Sequence, residues 1–187
     1  MLQITKQKDN RTVKAIVHKV ADIPGGVTVS VADLGGSVLK GGTVIGAPGN
    51  DGLCHVVKTA QVVTAVAATD TTIKVAKGSH FKPGDFVGNG SKGGEIANID
   101  KTDASFDVIT LKAAFDGTLA VGNGIFQASA VGGTKLKVTP FAVIGESYTL
   151  DGGNQFSSAW LIAVVRESNA PVAPSAVKDA LKGVHFI

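Results

Sequence analysis

The chain has 187 residues, 44% of them hydrophobic, and a formal net charge of +3. That length and apolar share support a buried core without disulfides or metals, and they exclude an intrinsically disordered chain. Only two of its 18 basic residues are arginines, Arg11 and Arg166, and no basic run interleaves with aromatics, so neither phosphate forks nor a nucleic-acid surface is expected.

Glycine supplies 24 residues, nearly twice its usual share, while Glu and Met together supply four. With abundant Val and Thr, this is the composition of many short strands joined by tight turns. Cys54 is the single cysteine, so no intrachain disulfide is possible. The first residues lack the apolar stretch of a secretory signal, and no apolar run reaches the length of a membrane span. Asn10-Arg11-Thr12 matches a glycosylation sequon but has no secretory context here.

Residues 1–26 open polar and Lys-rich, then alternate through Val13, Ala15 and Val17 up to the Pro24-Gly25-Gly26 break; they are expected to form an N-terminal arm. Val27, Val29 and Val31 share one face of a strand with period 2. Residues 38–46 read as two short strands around the Gly41-Gly42 turn. Pro48 to Gly52 is a turn cluster, and residues 53–58 read as a strand.

Composition shifts near residue 59. Residues 59–128 are nearly charge-balanced and carry their own strand signals at 62–66, 72–75, 86–87, 95–99, 108–111 and 124–128. Lys82-Pro83-Gly84-Asp85 has the Pro and Gly of a type II turn. Asn89-Gly90, Asp116-Gly117 and Asn123-Gly124 mark further tight turns. Strands at this spacing predict a small inserted β-barrel module. From residue 130 the outer pattern resumes, with strands at 135–138 and 141–144 separated by Pro140. Residues 159–165, Ala-Trp-Leu-Ile-Ala-Val-Val, predict a central strand buried on both faces, Trp160 included. Residues 168–187 form a linker and one short helix, capped by Ser175, ended by Gly183, and apolar at Val177, Ala180, Leu181 and Val184.

The layout that follows is all-β: an arm (1–26), an outer β-domain (27–58 plus 130–167), an inserted module (59–128) and a C-terminal linker with a short helix (168–187).

Several residue groups invite chemistry, and each has a plainer structural reading. Gly88-Asn89-Gly90-Ser91-Lys92-Gly93 fits the dinucleotide fingerprint, but strand-like residues follow it where a helix is needed, so it reads as a β-loop. Ser79, His80 and Asp85 contain the residue types of a hydrolytic triad, yet they sit beside a Pro-Gly turn that favours polar residues anyway. Cys54 and His55 are adjacent in a strand and point to opposite faces, and no second pair stands at metal spacing. Asp100, Asp103 and Asp107 lack the glycine and spacing of a calcium loop. His18 and His185 are isolated. No catalytic residue, cofactor or metal is therefore expected, and neither is a membrane partner.

Ser37-Val38-Leu39-Lys40-Gly41-Gly42-Thr43-Val44-Ile45-Gly46 resembles the segment that opens the β-tulip domain of tailed-phage head decoration proteins. Thr139-Pro140-Phe141-Ala142-Val143-Ile144-Gly145, with the strand at 159–165, is similar to that domain's closing half. Within 59–128, Thr71 to Val75, His80 to Phe86 and Asp107 to Leu111 resemble small β-modules of phage virion proteins, head fibre proteins among them. The resemblance implies a β-tulip or barrel-like outer domain and a structural protein on the capsid exterior, assembled in the host cytoplasm. It implies the major capsid protein as partner and a homo-oligomer, a trimer before a dimer. Lys6, Lys8, Arg11 and Lys14 are then the basic residues of a capsid-attachment arm. The competing expectation is a receptor- or glycan-binding adhesin, which exposed aromatics in 59–128 would favour.

Overall fold

The computed structural model describes residues 14–187. Strands β1 (Ile16–Asp22), β2 (Val27–Val29), β3 (Val38–Leu39) and β4 (Val44–Gly46) come first. They are followed by β5 (Thr59–Gln61), β6 (Thr72–Ala76), β7 (Phe86–Gly88), β8 (Gly93–Asp100), β9 (Phe106–Leu111) and β10 (Gly124–Ala128). The chain closes with β11 (Pro140–Ile144), β12 (Tyr148–Thr149), β13 (Gln155–Ser157), β14 (Ala159–Val165), helix α1 (Ser175–Ala180) and β15 (Val184–Phe186). Among the described residues the protein is all-β apart from this helix and one 3-10 turn at Glu167–Asn169.

One sheet runs β1-β14-β11-β4, and β15 pairs with β14 in parallel. A second runs β5-β10-β7-β8-β9-β6, and all six of its strands lie within residues 59–128. Two-stranded pairs β3–β12 and β2–β13 complete the set. Apolar clusters divide the same way. Ile73, Val87, Ile96, Ile109, Phe115 and Ile125 belong to a core drawn wholly from 59–128. Val29, Leu39, Ile45, Cys54, Ala142 and Ile144 form a second core, and Val44, Val143, Ala163, Val165, Val177 and Leu181 a third. Alternation explains the split between the last two: Ile45, Ala142 and Ile144 share one face of the sheet, Val44 and Val143 the other.

Among the described residues no closed barrel forms, so the barrel expected for 59–128 is corrected to an open, curled sheet. Its edge strands approach, but they are linked only by the isolated bridge Val62↔Val75 and by Val63 N donating to the Lys74 carbonyl (2.9 Å). Residues 62–66 supply bridges rather than the expected continuous strand, as do residues 53–58.

Four further expectations are revised. The two strands at 38–46 exist but do not pair with each other. The turn at Gly42 (φ +83) sends the chain from the β12 pair into the β11 sheet. Pro140 opens β11 instead of breaking it, as the first residue of a strand permits. Residues 135–138 contribute only a bridge from Leu136 to Ala128. Strand β14 is central in its pairing, but Ile162 is 44% exposed and Trp160 and Val164 are half-buried, so one face is incompletely covered.

At the C-terminus, the Pro174 carbonyl accepts from the Val177 and Lys178 amides. Ser175 is therefore the first helical residue, and its side chain makes no capping bond. The helix docks through Val177 and Leu181, while Ala180 is exposed and Val184 starts β15. Gly183 serves the strand. A Cβ there would stand 2.4 Å from the Leu161 carbonyl oxygen, so only glycine lets the chain run this close to β14.

Candidate functional site

The attachment arm is only touched by the described residues. Lys6, Lys8 and Arg11 lie outside them, and Lys14 is exposed at their edge. Ala15 and Ile16 are already buried, and Arg166 N donates to the Ala15 carbonyl. From Ile16 the chain is β1, antiparallel to β14, so residues 16–22 of the segment assigned to the arm are hydrogen bonded into the outer sheet.

Between the outer sheets and the 59–128 sheet lies a polar seam. The Lys58 ammonium, 1% exposed, donates to Asp85 Oδ2 at 2.8 Å, and Gln127 Nε2 donates to Asp85 Oδ1 at 2.6 Å. Gly35 N donates to the His80 carbonyl, Lys82 Nζ to the Ala32 carbonyl and Lys101 Nζ to the Gly35 carbonyl. The loop after β2 is thus tied by two hydrogen bonds to residues 80–82 and by a third to Lys101. His80 is buried, with no partner for Nδ1, and burial beside the Lys101, Lys58 and Lys40 charges pulls its imidazole down to about 4.

These contacts answer the triad question. Asp85 spends its carboxylate on Lys58, Gln127 and the Lys82 amide, while Ser79 Oγ and His80 Nδ1 are both without partners. A base held by a third group, as nucleophilic catalysis requires, is not assembled from these three residues.

The glycine fingerprint is the β7–β8 hairpin. Asn89 Oδ1 accepts from Ser91 N and Lys92 N across the turn, and Gly90 holds φ +99. Gly88 and Gly93 are glycines because Gly133 lies against both, where a Cβ on either would meet its Cα within 2.7 Å. Cys54 is buried and burial pushes its thiol up, which makes it an inert core residue. His55 is half-exposed near Asp51 and Asp33. Asp107 is buried on Lys77, while Asp100 and Asp103 accept backbone amides of their own loop. Among the described residues no group of three His, Cys, Asp or Glu is placed to hold a metal ion, and no helix is long and apolar enough to cross a membrane.

All five Phe of 59–128 are buried or half-buried, so a stacking platform for a glycan has no exposed ring there. The exposed rings are in the outer part: Phe156 on β13 (60%) and Phe141 on β11 (39%). With Ile23, Pro24, Pro48 and Leu161 they line an open groove. The sequence reading missed this groove. Its one signal was Phe156, an isolated aromatic within the polar, turn-rich stretch 151–158.

Comparison with known proteins finds no family model, no curated protein and no solved structure that matches the chain.

Proposed function

We propose that this chain is a structural virion protein that binds the outside of a tailed-phage capsid, as a decoration protein or the base of a head fibre. In this reading the outer part is a β-tulip-like domain, residues 59–128 are an inserted display module, and the partner is the major capsid protein. The chain works as a homo-oligomer, a trimer before a dimer, and performs no catalysis.

One observation carries the reading. The segments whose sequence resembles the opening and closing halves of a decoration domain are far apart in the chain, yet they are neighbours in one sheet. Strand β4, from the opening segment, pairs with β11 through Ile45↔Ala142 and Val44↔Val143. Strand β11 pairs in turn with β14 through Val143↔Trp160. The intervening residues 59–128 leave and re-enter beside this sheet, as a surface insertion on a scaffold would.

The test is cosedimentation with capsid shells assembled without this protein. Saturable binding at a fixed ratio to the capsid subunit, absent with unrelated shells, is the expected result. Failure to bind shells from its own particle overturns the proposal.

A further inference from the structure

We propose that Lys58 and Gln127 join in an isopeptide bond, formed by the folded chain itself with Asp85 relaying the protons. The product is a γ-glutamyl-lysine cross-link at the base of the 59–128 module. The inference is independent of the virion reading. The reaction is one self-modification per chain, not turnover on a substrate.

The three side chains are already assembled. Strands β5 and β10 pair antiparallel through Gly124↔Gln61, Ile125↔Ala60 and Phe126↔Thr59. One step further in this register Gln127 stands opposite Lys58, and Gln127 N donates to the Lys58 carbonyl at 2.9 Å. Side chains directly opposite each other leave the same face of a sheet as close neighbours. Both then end on one carboxylate, Lys58 Nζ on Asp85 Oδ2 at 2.8 Å and Gln127 Nε2 on Asp85 Oδ1 at 2.6 Å. An amine and a carboxamide bridged by a carboxylate are the reactants and the proton carrier of a transamidation, held together by the fold.

This pair stands apart from the other lysine–carboxylate pairs among the described residues. Lys58 is 1% exposed and Gln127 3%. In Lys77–Asp107, Lys92–Asp116, Lys112–Glu95 and Lys178–Glu167 the lysine is at least 36% exposed, and no side-chain amide donates to the carboxylate. Taking an ammonium out of water costs more than an ion pair commonly returns. A desolvated lysine is the form that serves as a nucleophile.

Asp85 is the proton carrier and not the acyl donor. Its carboxylate accepts from Lys58, Gln127 and the Lys82 amide, which stabilises the anion, the least electrophilic acyl form. Gln127 offers a neutral acyl carbon with ammonia as the leaving group. The Lys58 ammonium passes one proton to Asp85 Oδ2, and the freed amine adds to Gln127 Cδ. Asp85 gives its proton to the amide nitrogen, which departs as ammonia, and takes one from the newly bonded lysine nitrogen. That last proton leaves with the ammonia as ammonium. One C–N bond forms, one breaks, Asp85 ends as the carboxylate it began as, and no oxidant or cofactor is consumed.

The bond lies where the chain enters and leaves the module. It closes the residues between Lys58 and Gln127 into a covalent loop, and long closed loops restrict the unfolded chain most.

Intact-mass spectrometry of the purified full chain, after prolonged incubation, tests the inference. Wild type is expected to be lighter than its sequence by one ammonia, about 17 Da, and to yield a branched tryptic peptide joining the segments around Lys58 and Gln127. Lys58→Arg, Gln127→Met and Asp85→Asn are each expected at full sequence mass. The wild-type measurement decides the matter even where a variant fails to fold. A wild type at full sequence mass overturns the inference. So does a loss of about 18 Da with Lys58 joined to Asp85, or a loss of about 17 Da that persists in Lys58→Arg.

Discussion

Lys58 and Asp85 form an ion pair at 2.8 Å with the lysine 1% exposed, at the point where the chain passes from the outer segment into the 59–128 sheet. The lysine precedes β5, and the aspartate closes the type II turn whose Gly84 holds φ +88. Asp85 Oδ2 also accepts the Lys82 amide at 3.0 Å, and Oδ1 accepts from Gln127. Both oxygens of this carboxylate are therefore occupied, and Lys58 supplies the counter-charge.

Removing one charge should be worse than removing both. Lys58→Met leaves Asp85 with two of its three partners and no counter-charge in a desolvated site, and a loss of about 3–5 kcal/mol is expected for such a broken pair. Lys58→Met combined with Asp85→Asn keeps hydrogen-bonding capacity at position 85 without a stranded charge, and should be less destabilised than Lys58→Met alone. Urea denaturation of both variants checks this. An additive or larger loss in the double variant would show that the pair is not coupled.

His80 gives the seam a pH dependence with a defined sign. Its folded-state value of about 4 lies below the ordinary 6.5, first because of burial and then because of Lys101, Lys58 and Lys40. Between pH 6.5 and about 4 the unfolded chain binds a proton that the folded chain does not. Stability from this group is full above 6.5, declines as the pH falls through that window, and totals about 3 kcal/mol. Replacing it by His80→Leu should flatten the denaturation midpoint against pH by that amount relative to wild type. Parallel pH profiles would show that the imidazole titrates normally.

The parts of the fold that were legible in the sequence were local. Lys82-Pro83-Gly84-Asp85 forms the expected turn, with Asp85 N donating to the Lys82 carbonyl at 3.1 Å. The strand expected at 72–75 is β6 (Thr72–Ala76), and that at 108–111 lies within β9 (Phe106–Leu111). What was not legible depends on distant partners. Strand β15 has three residues and exists through parallel pairing with β14, so Gly183 looked like a helix terminator. Strand β1 shows three register shifts against β14, and its residues 17–20 are all exposed; alternation at 13–17 did not announce that. The groove draws on β11, β13, β14 and two turns, and no window of sequence brings those together.

Gly88→Ala separates a packing glycine from a phosphate-cradling one. A Cβ at Gly88 would stand 2.2 Å from Gly133 Cα and 2.4 Å from its carbonyl oxygen, both backbone atoms that cannot swing aside. The substitution should destabilise the protein by about 1–3 kcal/mol or more, as overpacking does. At Gly90 nothing lies within 4 Å and only the φ of +99 is unfavourable, so Gly90→Ala should cost about 1–2 kcal/mol. Thermal denaturation of the two variants ranks them. A milder effect at Gly88 than at Gly90 would contradict the close approach of Gly133.

The arm reading is tested by two deletions that differ at one boundary. Removing residues 2–13 takes away Lys6, Lys8 and Arg11 and leaves intact the pairing of β1 with β14, from Ile16↔Val165 to Asp22↔Trp160. Removing residues 2–20 also deletes Ile16, His18 and Lys19, three of the five paired positions, and with them the buried Ile16 side chain. Strand β14 would then lose most of one hydrogen-bonded neighbour, and its unpaired edge would face solvent. The shorter deletion should keep the wild-type melting temperature and lose cosedimentation with capsid shells, since several weak basic grips on one oligomer act together. The longer deletion should lower the melting temperature as well, by several degrees for a domain of this size. Undiminished shell binding by the 2–13 deletion would move the attachment to the outer β-domain. An unchanged melting temperature in the 2–20 deletion would mean that β1 contributes nothing to the sheet it borders.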